Sequence, residues 1–322
     1  MKSNPTSTTN VEVNRPLLDR RLGGITVREN LELYLMALIP VTLIFIFSYV
    51  PIYGIVIAFQ NFVPGIPMIG DERIDWVGFK HFTDFINSHF FGRLLKNTIW
   101  LNLLNLLFGF PIPILFAIVL NEVRNARYKR FTQTASYMPY FISNVVVAGM
   151  FINFLQPDGL FNHIRAAFGA RPLPFITRPE YFPAIYTLIN VWKGFGFNSI
   201  LYFSAISGID QELYESGRLD GGTRLQLMRH ITIPSILPTI AIMLILQVGS
   251  FLGSNTDLII LLYRPSTYRT ADTLGTYIYR LGITEGRFSY TTAIGLFMSV
   301  IGFALVYAAN KASDKLTGFA MW

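Results

Sequence analysis

The chain has 322 residues, of which 52% are hydrophobic and only 14% are charged. A soluble domain usually carries about a quarter charged residues, so the composition indicates an integral membrane protein. The net charge of +7 comes without a basic stripe interleaved with aromatic residues, which argues against a nucleic-acid partner and for contact with anionic membrane lipid. The absence of cysteine excludes disulfides and thiolate metal sites.

Six apolar runs are each long enough for a membrane-spanning α-helix, which needs about 20 residues. They are Leu33–Phe59, Asn97–Leu120, Thr132–Gln156, Phe182–Ile209, Pro234–Asn255 and Tyr290–Ala309. We therefore predict an all-α, polytopic membrane protein with six transmembrane helices over residues 31–310. The spans use most of the chain and leave no room for a separate soluble domain.

The two ends of the chain are polar and are predicted to be cytoplasmic tails, residues 1–30 and 311–322. The first tail lacks the early apolar run and the small-residue cleavage site of a signal peptide. With six spans both tails lie on one side, which holds 14 Lys and Arg residues against 11 on the other side. This excess favours cytoplasmic termini, because positively charged loops stay on that side of the membrane.

Residues 79–95 precede the second span and place phenylalanines at helical spacing, among them Phe79, Phe82 and Phe85. Lysine, histidine, aspartate and asparagine occupy the positions between them. This pattern is typical of an amphipathic helix that lies in the membrane interface. An ordinary helix packed on its neighbours would show the same pattern, and this alternative stays open.

A polar stretch, residues 208–234, separates the fourth and fifth spans and carries both carboxylates and arginines. The Gly221-Gly222 pair permits a sharp turn between two short helices, since glycine reaches backbone angles that other residues avoid. Pro234 suits the first turn of the span that follows. A short charged helix with a hinge is the kind of element by which a membrane domain docks into a soluble partner.

The spacing of this stretch resembles the EAA motif of permease subunits in binding-protein-dependent ABC importers. The residues at the motif positions are Glu215, Asp220, Gly221, Ile231, Ile233, Pro234 and Pro238. The two alanines of the motif are replaced by Ser216 and Gly217, which are both small, and a usual aromatic residue by Met228. Stretches such as YMPYFISNVVVAG and TADTLGTYIYRLG resemble the oligosaccharide and polysaccharide branch of these permeases, in particular the first permease subunit of the bacterial alginate importer.

The resemblance implies a type I ABC importer permease fold in the bacterial inner membrane. It implies as partners a second permease subunit in a heterodimer, a dimer of ATPase subunits that holds ATP and Mg, a periplasmic substrate-binding protein and membrane lipid. This chain would be no enzyme and would bind no cofactor of its own, which fits the lack of a G-x-x-x-x-G-K-[ST] phosphate-binding loop.

The same resemblance assigns the polar stretch to coupling with the ATPase. The expected coupling residues are Glu215, Ser216, Gly217, Asp220, Gly221, Gly222, Arg224, Met228, Ile231 and Pro234. Glu215 is expected to make a charge-assisted contact with a basic residue of the ATPase. The alternative is an exposed helix-surface carboxylate, which contributes little.

Lys193 lies near the middle of the fourth predicted span, where a lysine is costly unless it faces the bundle interior, a partner or water. One interpretation is that it lines the translocation path and attracts an anionic sugar, beside an aromatic face for sugar stacking. The other is a structural ion pair, for example with Asp257, or a snorkelling side chain. The predicted substrate-path residues are Asn190, Trp192, Lys193, Gly196, Asn198, Asn255 and Asp257.

The remaining polar residues of the spans, such as Asn105, Asn144 and Gln247, are weaker candidates, because amides within spans more often bridge helices than touch substrate. The outer loops carry 11 cations against 8 acids, and this surplus favours an acidic, alginate-like oligosaccharide. The four histidines lack ligand spacing, so no metal site is predicted. The alternatives to an importer permease are a sugar secondary transporter and a polytopic membrane enzyme acting on glycan or lipid.

Overall fold

The computed structural model describes residues 31–253 and 255–321, and the predicted N-terminal tail lies outside them. The α-helices of these residues are α1 (Leu31–Ile44), α2 (Lys80–Ile86), α3 (Phe91–Gly109), α4 (Pro111–Asn121), α5 (Ala126–Tyr137), α6 (Asn144–Phe154), α7 (Leu160–Ala167), α8 (Phe182–Ser207), α9 (Gln211–Leu219), α10 (Arg224–Leu227), α11 (Ile233–Gly249), α12 (Thr256–Leu262), α13 (Tyr268–Ala271), α14 (Leu274–Ile278) and α15 (Phe288–Thr317). Helix α1 continues as a π-helical turn, Phe45–Tyr49, and a 3₁₀ helix, Val50–Phe59. The architecture is all-α, as predicted.

Several helical segments of the described residues are long and apolar enough to cross a membrane. They are Leu33–Phe59, Phe91–Asn121, Arg224–Gly249 and Phe288–Lys315, with the bent pair Ala126–Phe141 and Asn144–Phe154 as a fifth candidate. Helix α8 has 26 residues and is long enough, but Asn190, Lys193 and Asn198 make it less apolar than these segments. The count of six spans therefore stays a prediction.

The third predicted span, 132–156, is bent by 97° rather than straight. Helix α5 ends in a 3₁₀ turn that contains Pro139, whose ring nitrogen cannot donate to the preceding turn. Ile142 and Ser143 are extended, and the Ser143 hydroxyl caps α6 by accepting a hydrogen bond of 3.3 Å from the backbone N–H of Val146. The break thus follows from a proline and an N-cap within an apolar run.

The predicted helix over residues 79–95 is two helices, because α2 ends at Ile86 and α3 begins at Phe91. Asn87 and Ser88, which are common turn residues, form the corner between them. Phe85 is buried against Phe91 of α3 and Phe297 of α15, whereas Phe79 is 70% exposed. The prediction of one continuous amphipathic helix was wrong, and α2 packs on α3 and α15 through the ring of Phe85.

The fifth predicted span, Pro234–Asn255, has different ends in the structure. Its helical segment begins at Arg224, within the predicted coupling loop, and ends at Gly249. Asp257, a predicted substrate-path residue, lies beyond this segment in the first turn of the separate helix α12. At the C-terminal end of the chain, the segment predicted as a tail from residue 311 stays helical to Thr317 before Gly318 ends α15 in the left-handed conformation.

The largest buried apolar cluster joins α6, α8 and α12. Its members from these helices are Val147, Ala148, Phe151, Phe182, Tyr186, Ile189, Leu258, Ile259 and Leu262. Burying these side chains together fixes the three helices against each other, because tightly packed side chains leave little room for relative motion. Polar side chains on the adjoining faces of the same helices form the site described below.

A buried ion pair holds the segment before α15 against α3. Asp272 is fully buried and accepts two hydrogen bonds from the Arg280 guanidinium, of 3.1 and 2.9 Å, while Arg93 of α3 approaches it at 3.4 Å. The Asn97 amide of α3 donates to the Asp272 carbonyl at 2.9 Å. Burial disfavours the charged guanidinium, but the bonds to Asp272 outweigh it, so the pKa of Arg280 is raised.

Asp272→Asn should lower the unfolding temperature of the purified protein in detergent. The change removes the charge that compensates Arg280, and breaking a buried ion pair costs about 3 kcal/mol. Asp71→Asn is the matched control, because Asp71 pairs with Arg73 at the exposed surface. Equal unfolding temperatures for wild type and Asp272→Asn would show that this ion pair does not hold the segment in place.

Candidate functional site

A polar cavity of about 430 Å³ lies beside the middle of α8. Its lining residues are Asn105, Gly109, Tyr140, Asn144, Asn190, Val191, Lys193, Gly194, Phe195, Asn198, Gln247 and Asn255. Four of the predicted substrate-path residues are among them, namely Asn190, Lys193, Asn198 and Asn255. The polar residues that made α8 unlike an ordinary span thus converge on one cavity.

The Lys193 ammonium is held inside this cavity by an amide and not by a carboxylate. Its Nζ donates a hydrogen bond of 2.5 Å to Oδ1 of Asn144, at the start of α6. The Asn144 amide donates in turn to Asn255 at 3.3 Å, and the Asn255 amide donates to Asn190 at 3.1 Å. This chain of hydrogen bonds connects α6, α8 and the N-terminal end of α12, and it leaves the positive charge without an ionic partner in the described lining.

The alternative partner that we considered for Lys193 lies elsewhere. Asp257 is exposed in the first turn of α12 and does not line the cavity. Asn255, two residues earlier, caps this helix by accepting from the backbone N–H of Leu258 at 3.3 Å. The same residue therefore starts the helix and places its side chain in the amide network.

The aromatic wall of the cavity is not the one predicted. Trp192 packs in the apolar cluster with its ring 5.5 Å from that of Phe151. Tyr140 lines the cavity instead, and its ring stacks on Phe197 with 3.9 Å between centroids and 5° between planes. Trp192 points toward α6, whereas Lys193, Gly194 and Phe195 on the adjoining face of α8 line the cavity.

Gly196 serves close packing rather than the cavity. It is buried, and a Cβ atom at this position would overlap the backbone carbonyl of Ser136 on α5. Helices α5 and α8 approach closely here, as small residues allow in membrane proteins. The structure therefore gives Gly196 a position at a helix contact and not at the polar lining.

The predicted coupling stretch forms α9, a turn over Asp220–Gly222, and α10 followed by the π-helical turn Met228–Thr232. Gly221 has φ of +80°, a conformation that side chains with a Cβ atom avoid. Thr223 and Gln226 form a capping box at the start of α10. Gly221 thus permits the turn, and the capping box fixes the start of the helix that follows it.

The small residues of the motif allow α9 to meet the helix that follows the turn. A Cβ atom on Gly217 would lie 2.6 Å from Cδ2 of Leu227, and one on Gly222 would lie 2.6 Å from the Gly217 carbonyl. The Tyr214 and Thr232 hydroxyls share a buried hydrogen bond of 2.9 Å. Together these contacts hold the coupling stretch as one rigid hairpin of two helices.

The outer surface of this hairpin exposes both polar and apolar side chains. Glu215, Ser216, Asp220 and Arg224 are exposed, as are Leu219 at 89% and Leu225 at 73%. On the packed side, Leu227 is buried and Met228 is half-buried. Ile231 is half-buried against Gly217, while Pro234 is exposed in the first turn of α11. The tip of the hairpin therefore exposes two leucines beside its charged side chains.

Tyr140, Asn144 and Gln247 line the cavity although we did not predict them as substrate-path residues. The signal for Asn144 was its place after Pro139 and Ser143, since a broken span points its new helix end at a polar cavity. Nothing comparable marks Gln247 in the sequence. Among the described residues no group of His, Asp and Glu side chains comes together as a metal site.

Comparison with known proteins assigns the family. Residues 109–317 match the family described as binding-protein-dependent transport system inner membrane component. The chain belongs to this family. This permease is therefore a multi-pass inner-membrane component of a transport system and not an enzyme, and its fold is that of type I ABC importer permeases. The resemblance drawn from the EAA-like motif is confirmed.

Relatives and solved structures of high similarity include components of polysaccharide transport systems. The permease is 41% identical over 284 residues to the polygalacturonan/rhamnogalacturonan transport system permease protein YteP of Bacillus subtilis, covering 88% of each chain. It is 42% identical, with a TM-score of 0.82, to a chain of a bacterial ABC transporter involved in the import of the acidic polysaccharide alginate, covering 90% of this chain and 98% of that one. The same transporter in complex with an alginate pentasaccharide-bound periplasmic protein gives 41% identity and a TM-score of 0.83, covering 92% and 98%.

Gly196→Ala should destabilise the permease by about 1–3 kcal/mol, because the added methyl group forces α5 and α8 apart. The unfolding temperature in detergent measures the effect. Gly149→Ala on α6 is the control, since a Cβ atom there meets no neighbouring heavy atom of the described residues within 4 Å. An unchanged unfolding temperature in Gly196→Ala would contradict the close contact at Ser136.

Proposed function

We propose that this permease passes an acidic oligosaccharide across the inner membrane by ATP-driven alternating access. The observation that carries the proposal is the part-buried Lys193 ammonium, which lies in a polar cavity and, among the described residues, is bound by the neutral amide of Asn144 without an ionic partner. A cation within a membrane span is costly unless it faces water, a partner or an opposite charge. A sugar carboxylate that enters the cavity would supply it.

The other lining groups suit the remainder of a sugar. Five asparagine side chains and Gln247 offer both donors and acceptors for hydroxyl groups, and the stacked Tyr140 offers a ring face. This mixture of one charge, several amides and an aromatic wall distinguishes an acidic saccharide from a neutral one mainly through the charge. Similarity to the alginate importer and to YteP supports the same substrate class.

The energy for transport would come from an ATPase dimer that binds the hairpin of α9 and α10. The exposed Leu219 and Leu225 would enter an apolar cleft, and Glu215 would pair with a basic residue at its rim. We expect Gly221 to let the tip keep its shape while the hairpin moves as a unit. A ligand-driven change of this kind requires that ATP bind the two conformations with different affinity.

This proposal sets the orientation and the partners. The hairpin and both chain termini would face the cytoplasm, in agreement with the excess of Lys and Arg on that side. A periplasmic binding protein would deliver the sugar from the opposite face, and a second, different permease subunit would complete the path. ATP and Mg would be held by the ATPase alone.

Lys193→Met should reduce uptake of an acidic oligosaccharide at least tenfold in proteoliposomes of the complete transporter. Methionine keeps the apolar stem and removes the charge that pairs with the carboxylate. Lys96→Met is the matched control, because Lys96 is an exposed cation on α3 outside the cavity lining. Undiminished uptake by Lys193→Met would remove the substrate role of Lys193, and loss of assembly would support a structural one.

Glu215→Ala should abolish sugar-stimulated ATP hydrolysis and leave membrane insertion unchanged, because the side chain is exposed and makes no hydrogen bond within the described part of the chain. Glu212→Ala is the control on the same helix, one turn earlier and equally exposed. Normal sugar-stimulated ATP hydrolysis in both variants would contradict the docking role of Glu215. Equal loss in both would show that the whole surface of α9 contributes, without a specific charge pair.

A further inference from the structure

A second cavity, of about 680 Å³, lies between the hairpin and the loop that follows α4. It is distinct from the cavity at Lys193 and shares none of its lining residues. Its size lies within the range of small-ligand sites, about 300–1,000 Å³. The charged residues that line it are Glu122, Arg124, Arg218 and Arg224.

The three arginines of this cavity are not neutralised by the described part of the chain. Neither an ion pair nor a side-chain hydrogen bond engages Arg124, Arg218 or Arg224 there, and Glu122 offers a single opposing charge. A fourth cation stands at the edge, because the Lys129 ammonium lies 3.5 Å from Oδ1 of Asn121, another lining residue. The cavity therefore carries an uncompensated positive charge.

The position of the cavity along the membrane helices indicates which class of anion it can bind. Asn121 is the last residue of one candidate span, Phe91–Asn121, and Arg224 is the first residue of another, Arg224–Gly249. Side chains at the ends of spans lie at the level of the lipid headgroups, and basic pockets between span ends bind anionic headgroups. Arginine guanidinium groups pair with phosphate through two parallel hydrogen bonds.

We propose that this arginine cavity binds the phosphate-bearing headgroup of an anionic phospholipid. The bound headgroup would neutralise Arg124 and Arg218 and link the loop after α4 to the hairpin of α9 and α10. Because the hairpin is the element assigned to ATPase coupling, the lipid would stabilise the permease in the geometry in which coupling takes place. This proposal rests on the charges of the three arginines and on the position of the span ends, and it does not depend on which sugar is transported.

The test measures the unfolding temperature of the purified complete transporter in detergent with three probes. These are dioctanoyl phosphatidylglycerol, dioctanoyl phosphatidylcholine and inorganic phosphate. We expect phosphatidylglycerol alone to raise the unfolding temperature, and the double variant Arg124→Gln with Arg218→Gln to lose that rise. Arg127→Gln should keep it, because Arg127 is exposed in the first turn of α5, close in sequence to Arg124, and does not line the cavity.

A further variant separates loss of the site from loss of folding. Arg124→Lys with Arg218→Lys keeps the charges and should retain part of the rise. The proposal fails if the glutamine double variant responds to phosphatidylglycerol as the wild type does. An equal rise with inorganic phosphate would assign the site to a free anion and not to lipid. Loss of ATPase co-purification with an intact lipid response would assign the arginines to an acidic surface of the ATPase.

Discussion

The hydrogen bond between Lys193 and Asn144 joins a charge in the middle of α8 to the broken end of α6. Polar groups inside a membrane protein must find partners within the protein or in water, since hydrocarbon offers none. The amide network through Asn255 and Asn190 meets this requirement and fixes where α6, α8 and α12 meet. The bend in the third span follows from Pro139 and the Ser143 cap, and the network joins the helix end that the bend creates to the cavity and to the start of α12.

The two functional parts of the permease are built in opposite ways. In the cavity Lys193, Asn144, Asn255 and Asn190 are linked by hydrogen bonds, and under the proposed function the Lys193 charge would pair with a ligand. The hairpin of α9 and α10 is rigid inside, through Gly217, Leu227 and the Tyr214–Thr232 hydrogen bond, and exposes leucines outside. Under the proposed function, the hairpin would transmit motion from the ATPase and the cavity would receive the sugar.

The all-α membrane fold could be predicted from the length of the apolar runs, and the hairpin could be found from its motif. Asn190, Lys193, Asn198 and Asn255 line one cavity, and they could be singled out because polar side chains in an apolar run are conspicuous. Trp192 and Gly196 were predicted with the cavity residues but pack against other helices. Neighbouring positions of α8 face the cavity and the core, and no single-sequence pattern marks that boundary. The partners of Lys193 come from α6 and α12, distant in the chain, so a sequence alone could not pair them.

The central claim is that the cavity at Lys193 opens to opposite faces of the membrane as the hairpin responds to ATP. Because the chain has no cysteine, Asn198→Cys supplies a single thiol in the cavity lining. Its labelling rate by a membrane-impermeant thiol reagent, applied separately to each face, should be high from one face without nucleotide and from the other with trapped nucleotide. Labelling from the same face at the same rate in both conditions would contradict alternating access through this cavity.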